Sequence, residues 1–437
     1  MSVTGLLFLL SYAVGLLAAF AKHPRFGLYT YVAVFYLHPP IRWWGASLPD
    51  LRWSLVASIV TLLALLGSKV PPSAVPWTAH RLTKIVIVYV IWMWMQFPWA
   101  NPQHFEGVLL LTKYVVLLYV IYRLVNDRES LVNFSLAHVI GCFYFGMLAL
   151  GASGEGRLEL LGGPGVKDSN TLGMHVSTGL FFAGSLLLSQ RGWRRWGIAL
   201  MVPAMANCLV QTESRGAFLG IACGGLVYYL SAPKAHRKLI VSLGALSLFV
   251  LAAYAPTTYW ERMGTIKSNE ETAQRDHSAE SRLVLIEAQW QMFKAHPFGL
   301  GFDTTSYLSR DYLDTEWLTV RRGLDKATHG ARASHNTLMS MLVDQGIPGI
   351  LLALAAVATI IRMMLEFNRI PLRADNQELG VLRAAICSSL TAIFVSGMFT
   401  NYIKAEVQLW MLALLIAGLQ IARDTTRQSG QAPVRPA

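Results

Sequence analysis

Long apolar runs separated by short polar punctuation dominate this chain. Hydropathy picks out thirteen apolar segments, near 3–21, 26–40, 53–68, 82–99, 107–125, 131–151, 170–189, 194–211, 216–231, 237–254, 336–365, 381–399 and 403–422. Most approach the roughly 20 residues that cross a hydrocarbon core. They predict an all-α, polytopic transmembrane helical bundle of about 12 spans, because the second segment is short and aromatic. A transmembrane β-barrel would show short alternating segments instead. Gly5 to Phe20 has the look of a signal peptide, but no small-residue cleavage site follows, so it reads as a retained membrane segment.

Two polar intervals stand out. Residues 152–169 are glycine-rich, and 255–334 are too many for a simple connector. Four regions follow: N-terminal transmembrane helices over 1–254, a loop domain over 255–334, C-terminal transmembrane helices over 335–424 and a disordered tail over 425–437. Inside the loop domain, Arg282 to Lys294 reads as an amphipathic helix, with Leu283, Ile286, Trp290 and Phe293 on one face. It would lie on the membrane or cap the bundle. His296-Pro297 ends it and Gly299-Leu300-Gly301 turns the chain.

Composition agrees with the pattern. The chain is 54% hydrophobic and 14% charged, against roughly 25% charged in soluble domains. Its net charge of +12 sits in short loops between apolar runs, around Lys69, Arg81, Arg123, Arg128, Arg191, Arg195, Lys234, Arg237, Arg362, Arg383 and Arg423. That distribution sets topology and does not call for nucleic acid; it places those loops and the C-terminus in the cytoplasm. The four cysteines all fall in apolar runs, with no spacing for disulfides or zinc.

Chemistry concentrates at the opposite face. His335 and Asn336 stand where the long loop meets an apolar helix, with nine residues before Gly346 and two more before Gly349. Ser334 suits the N-cap position, which makes His335 the first or second helical residue. A helix N-terminus disfavours imidazolium and favours anions, giving a neutral, base-competent histidine beside a phosphate site. On spacing alone the same residues also suit a boundary histidine followed by two packing glycines. Arg215 opens a membrane segment at that face, either as an anchor paired with Glu213 or as a functional cation. Arg282 opens the loop helix, where a solvated helix end is the plainer reading. Topology puts Arg215, Arg282 and His335 on one face, and arginine forks plus a histidine suit a phosphate leaving group. No phosphate loop of the GxxxxGK[ST] type, no HExxH and no DxD pair occurs, so neither direct ATP use nor a metal is indicated. Lys113, His138, His175 and Glu406 fall inside apolar runs and read as packing residues before proton relays.

These residues resemble the O-antigen ligase and O-antigen polymerase superfamily. His335, Asn336, Gly346 and Gly349 match its H-[N/S/Q]-x9-G-x-x-[G/T/Y] signature. Arg215-Gly216 matches its Arg-Gly helix opening, and Arg282, Trp290 and Pro297 to Gly301 match its Arg, aromatic helix and Pro-Phe-Gly-x-Gly turn. The N-terminal third is similar to the exosortase-associated putative O-glycosylation ligases. The resemblance implies a bacterial inner-membrane enzyme whose active site faces the periplasm. It implies inverting, metal-independent transfer of a glycan from undecaprenyl pyrophosphate to a sugar hydroxyl of lipid A–core, without cofactor. His335 would act on the hydroxyl, Arg215 and Arg282 on the pyrophosphate, and Asn336 would orient the histidine or a phosphate oxygen; Gly346 and Gly349 would permit close packing. An O-antigen polymerase or a protein O-oligosaccharyltransferase would share the donor. A lipid-linked sugar transporter is the reading from another class, for which inverted repeats and midplane charges would be expected.

Overall fold

The computed structural model describes residues 2–71, 73–152, 157–163, 165–255, 257–264, 277–318, 331–372 and 376–428. Residues 1, 72, 153–156, 164, 256, 265–276, 319–330, 373–375 and 429–437 lie outside these, and the expectations for them with them. The described chain is all-helical, with no strands.

Ten helices come first: α1 (Val3–Ala21), α2 (Arg25–Leu37), α3 (Trp53–Leu66), α4 (Arg81–Met95), α5 (His104–Leu124), α6 (Arg128–Gly151), α7 (Ser169–Ser189), α8 (Gly192–Gln211), α9 (Arg215–Ser231) and α10 (Arg237–Tyr254). The long loop supplies α11 (Thr257–Gly264), α12 (His277–Ala295) and α13 (Thr304–Tyr312). Three more close the chain: α14 (Thr337–Arg369), α15 (Gln377–Gly397) and α16 (Glu406–Gln428). Each of the thirteen apolar segments is thus a helix. Among the described residues, eight helices are long and apolar enough to cross a membrane, which makes this a multi-pass membrane protein.

The centre of the bundle is α15, packed between α7 and α9 and buried along most of its length. Small residues bring α9 onto it. A side chain at Gly220 would meet Ala392 backbone at 2.8 Å, and one at Gly224 would meet the Ser388 carbonyl at 2.9 Å. With Gly216 these form a small residue every fourth position, the spacing that lets membrane helices approach closely. The Ser396 hydroxyl donates to the Gly216 carbonyl at 2.9 Å, fixing the start of α9 against the end of α15.

Three ion pairs lie at one end of the bundle, Arg25 with Asp127, Arg128 with Glu378 and Arg423 with Glu366, and a fourth, Lys404 with Asp303, lies at the other. Arg383, buried at the same end as the three, donates to the carbonyls of Phe367 and Ile370. The other end carries the turn between α4 and α5, the start of α7, the turn between α8 and α9, and the α15–α16 turn. The loop helices α12 and α13 dock there on α14.

Helix α14 is not one continuous rod. Gly346 adopts φ 62°, ψ −160°, and the helix restarts with Pro348 in its first turn. The break lets the turn after α12 touch α14 backbone to backbone. Ile347 N–H donates to the Pro297 carbonyl at 2.9 Å, and Gly301 N–H donates to the Asp344 carbonyl at 2.8 Å. A side chain at Gly346 would lie 2.3 Å from the Pro297 carbonyl oxygen. Carbonyls freed by the break are satisfied from the α4–α5 region, where Trp92 donates to Gln345 and Gln96 to Asp344. The carboxylate of Asp344, buried in the break, accepts from the N–H groups of Asp303 and Thr304 and so caps α13 from outside its own segment.

Helix α12 presents two apolar faces. Its packed face is Leu285, Ala288, Gln289 and Met292. The stripe read from sequence lies on the other side, with Leu283 69% and Trp290 44% exposed. Both faces of this helix are apolar, so periodicity alone could not choose between them.

Candidate functional site

A cleft of about 400 Å³ opens between the loop helices and the bundle. Its polar lining is Arg215, Arg282, Gln289, His335 and Asn336; its apolar lining is Leu219, Leu283, Leu285, Ile286, Met398 and Phe399. The four residues singled out from sequence therefore share one cavity, although they come from three separate stretches of chain.

Local chemistry delivers each of them. Ser214 caps α9, accepting from the N–H of Ala217, and its hydroxyl donates to Asn170 Oδ1 at 2.9 Å. Arg157 donates to the same oxygen at 2.9 Å. Arg215 is thus the first residue of a helix whose start is bound to the start of α7. Arg282 stands in the first turns of α12, and α12 packs on α13 and α14.

His335 does not sit where its neighbours suggested. The N-cap of α14 is Asn336, with extended backbone and an Oδ1 that accepts from Met339 N–H at 3.0 Å. Ser334 instead forms a side-chain turn, donating to the Asn336 carbonyl at 3.0 Å and accepting from its N–H at 3.2 Å. His335 therefore precedes the cap, outside the helix. Serine and asparagine are nearly equal as caps, so the sequence offered two starts. The Asn336 amide also donates to the Met398 carbonyl at 3.2 Å, so this side chain is committed to holding α14 against the end of α15.

The imidazole is held neutral. Burial first, then the Arg282 and Arg332 cations, lower its pKa to about 4 against the upward pull of the Asp168 carboxylate. The helix N-terminus invoked from sequence is not the leading cause. Arg332 and Asp168 were not singled out from sequence. Asp168 is the N-cap of α7, accepting from Asn170 and Thr171, and a carboxylate in that role gives no pattern that marks it as a neighbour of His335.

A second polar cluster lies inside the bundle. Tyr36, His138, Cys142 and His175 meet in a buried group on α2, α6 and α7. The histidines and cysteine are close enough to share a metal ion. The Tyr36 oxygen, however, stands at their common point, 2.6 Å from His138 Nδ1, 2.8 Å from His175 Nε2 and 3.5 Å from Cys142 Sγ. Thr178 donates to the His175 carbonyl, so His138 Nε2–H must donate to Thr178. His138 Nδ1 then accepts from Tyr36, whose oxygen accepts from His175. Every group is satisfied in its neutral form, which describes a packing hub. No spacing in the sequence links Tyr36 to the two histidines.

Residues 199–354 match the family model for O-antigen ligase (Wzy_C). The match supports the O-antigen ligase and polymerase superfamily. The matched segment contains Arg215, Arg282, His335, Asn336, Gly346 and Gly349. No curated protein matches the chain. Among solved structures, one similar chain comes from work described as structural coordination of polymerization and crosslinking by a peptidoglycan synthase complex. It is 15% identical, covers 80% of this chain and 99% of that chain, and gives a TM-score of 0.44.

Proposed function

We propose that the cleft transfers a glycan from undecaprenyl pyrophosphate to a sugar hydroxyl of lipid A–core, with inversion and without a metal. The observation that carries this reading is the meeting of Arg215, Arg282 and His335 in one cavity, at the end of the bundle opposite buried Arg383. The O-antigen ligase match supports a lipid-linked glycan donor. By the positive-inside rule the arginine-rich end faces the cytoplasm, so the cleft faces the periplasm of the inner membrane.

In this mechanism the acceptor hydroxyl oxygen attacks the anomeric carbon while the bond to the phosphate oxygen breaks. His335 takes the hydroxyl proton, and pyrophosphate leaves with the bonding electrons. Arg215 and Arg282 bind the pyrophosphate oxygens and stabilise the charge that develops there. A base with a pKa near 4 is weak, but the bound donor changes that. Two phosphates beside Arg282 offset its field and raise the proton affinity of the imidazole. Donor binding thereby prepares the base. Asn336 contributes by placing the histidine, since its amide is taken up by Met339 and Met398.

The test is reconstitution of the purified full-length protein with undecaprenyl-pyrophosphate glycan and three acceptors offered separately: lipid A–core, a second lipid-linked glycan and a hydroxyl-bearing protein. Product on lipid A–core supports the ligase. Product only on the second or third acceptor replaces it with a polymerase or a protein O-oligosaccharyltransferase. Donor moved across the bilayer without any bond broken would make the protein a transporter.

A further inference from the structure

The stretch carrying His335 reaches the cleft already tied to the loop helices. Arg332 makes three of the ties. Its backbone N–H donates to Ser309 Oγ at 2.9 Å, and its guanidinium donates to the Trp317 carbonyl at 3.2 Å and to Ser281 Oγ at 2.9 Å. Ser281 is the residue before Arg282. Gln289 makes two more. Fully buried, it donates through Nε2 to Ser334 Oγ at 2.9 Å and to Thr305 Oγ1 at 3.0 Å. The Ser334 hydroxyl proton is spent on the Asn336 carbonyl, so Gln289 must be the donor in that pair. These bonds fix the chain just before His335, and the Asn336 side chain fixes it just after. The imidazole itself has no hydrogen bond among the described residues.

We propose that Arg332 and Gln289 are positioning residues that hold His335 at a fixed separation from Arg282, so that the base and one phosphate-binding arginine move as a single unit. This rests on the reading of His335 as the base. The cleft then has two walls of different origin. Arg282 and His335 belong to the loop wall, and Arg215 belongs to the bundle wall on α9. A long, rotamer-rich side chain such as Arg332 is costly to order, and its two guanidinium bonds are what offset that cost. Misplacing a reacting group by about 1 Å costs on the order of 100-fold in rate, so such ties act on turnover before they act on binding. Arg332 has a second effect through its charge. The charged groups facing His335 are Arg282 on α12, Arg332 on its own segment, Arg215 on α9 and Asp168 at the cap of α7. Removing the Arg332 cation lets the imidazole hold its proton to higher pH.

Full-length protein with the donor and acceptor active in reconstitution supplies the assay, and Arg332→Gln, Arg332→Lys and Gln289→Leu are compared with wild type and in a His335→Ala background. Arg332→Gln is expected to lower kcat on the order of 10- to 100-fold, leave the donor KM near wild type and move the acid limb of kcat/KM to higher pH. Arg332→Lys keeps the charge but cannot span two acceptors, so its limb stays at the wild-type pH while kcat remains low. Gln289→Leu lowers kcat without moving the limb. None of the three lowers the residual rate of His335→Ala further. Thermal melts in detergent show whether each variant is folded, and the lysine and leucine variants carry the test if the glutamine variant is not. Wild-type kcat with an unmoved limb in Arg332→Gln overturns the proposal, as do losses that multiply fully on His335→Ala. If His335→Ala is itself active, the reading of the base fails. If it is inactive while the Arg332 and Gln289 variants are normal, only the present inference fails.

Discussion

At the scale of the residue, protonation is the variable that matters most. His335 is neutral because burial and two cations oppose its charge, with Asp168 alone pulling back. A depressed pKa means the folded cleft loses stability as pH falls below the ordinary value of 6.5 toward about 4, and keeps it fully above 6.5. The limb of kcat/KM reports the free enzyme and is expected near pH 4; the limb of kcat reports the donor complex and is expected at higher pH. Coincident limbs in pH-rate profiles would show that the donor does not adjust the base. His335→Ala is expected to reduce transfer to a small residual rate with expression and melting near normal; turnover within a few-fold of wild type in the purified variant would remove it from the mechanism. The arginines are tested by lysine. Arg215→Lys and Arg282→Lys retain charge but lose the planar fork, so kcat is expected to fall on the order of 100-fold. Wild-type kcat and KM in both, on protein of checked topology, would leave them as anchors.

At the scale of the element, hydropathy marked all thirteen apolar helices because burial in lipid and in the core both demand apolar length. It could not mark what happens inside them. The break in α14 was readable in principle from Gly346-Ile347-Pro348, a glycine followed by a proline suited to a helix first turn. The two glycines of the signature were read as packing positions, and Gly346 is both a close-packing position and a backbone requirement. Its φ/ψ belongs to a region that only glycine occupies easily. Gly346→Ala is expected to cost about 2–5 kcal/mol, from backbone strain together with the clash on Pro297. The expected sign is a lowered melting temperature in detergent and faster proteolysis of the loop helices; an unchanged melt would show that the turn can move away. The start of α14 was misplaced for a different reason. Ser334 and Asn336 compete for the same cap, and only the partner carbonyl of Met398, 62 residues away, decides between them.

At the scale of the whole molecule, the site was legible as a set and illegible as an arrangement. Topology put Arg215, Arg282 and His335 at one face, and they do line one cleft. Arg332, Gln289 and Asp168 escaped notice because their roles depend on contacts between elements that no periodicity encodes. The transfer reaction is expected to survive chelator. Activity lost in EDTA and restored by magnesium or manganese would redirect attention to Asp303, Asp311 and Asp314. The clasp between α4 and the break in α14 has a further consequence, which concerns time. Trp92 donates to a carbonyl 253 residues later in the chain. At roughly 5–20 residues per second, synthesis of that interval takes about 13–50 s. Throughout it, Trp92 and Gln96 stand at the membrane boundary without the acceptors in α14 that complete them. The cleft is accordingly a late event in biogenesis. Stalled chains that end before Asp344 are expected to leave a cysteine placed at Gln96 open to a membrane-impermeant thiol reagent, and full-length chains to protect it.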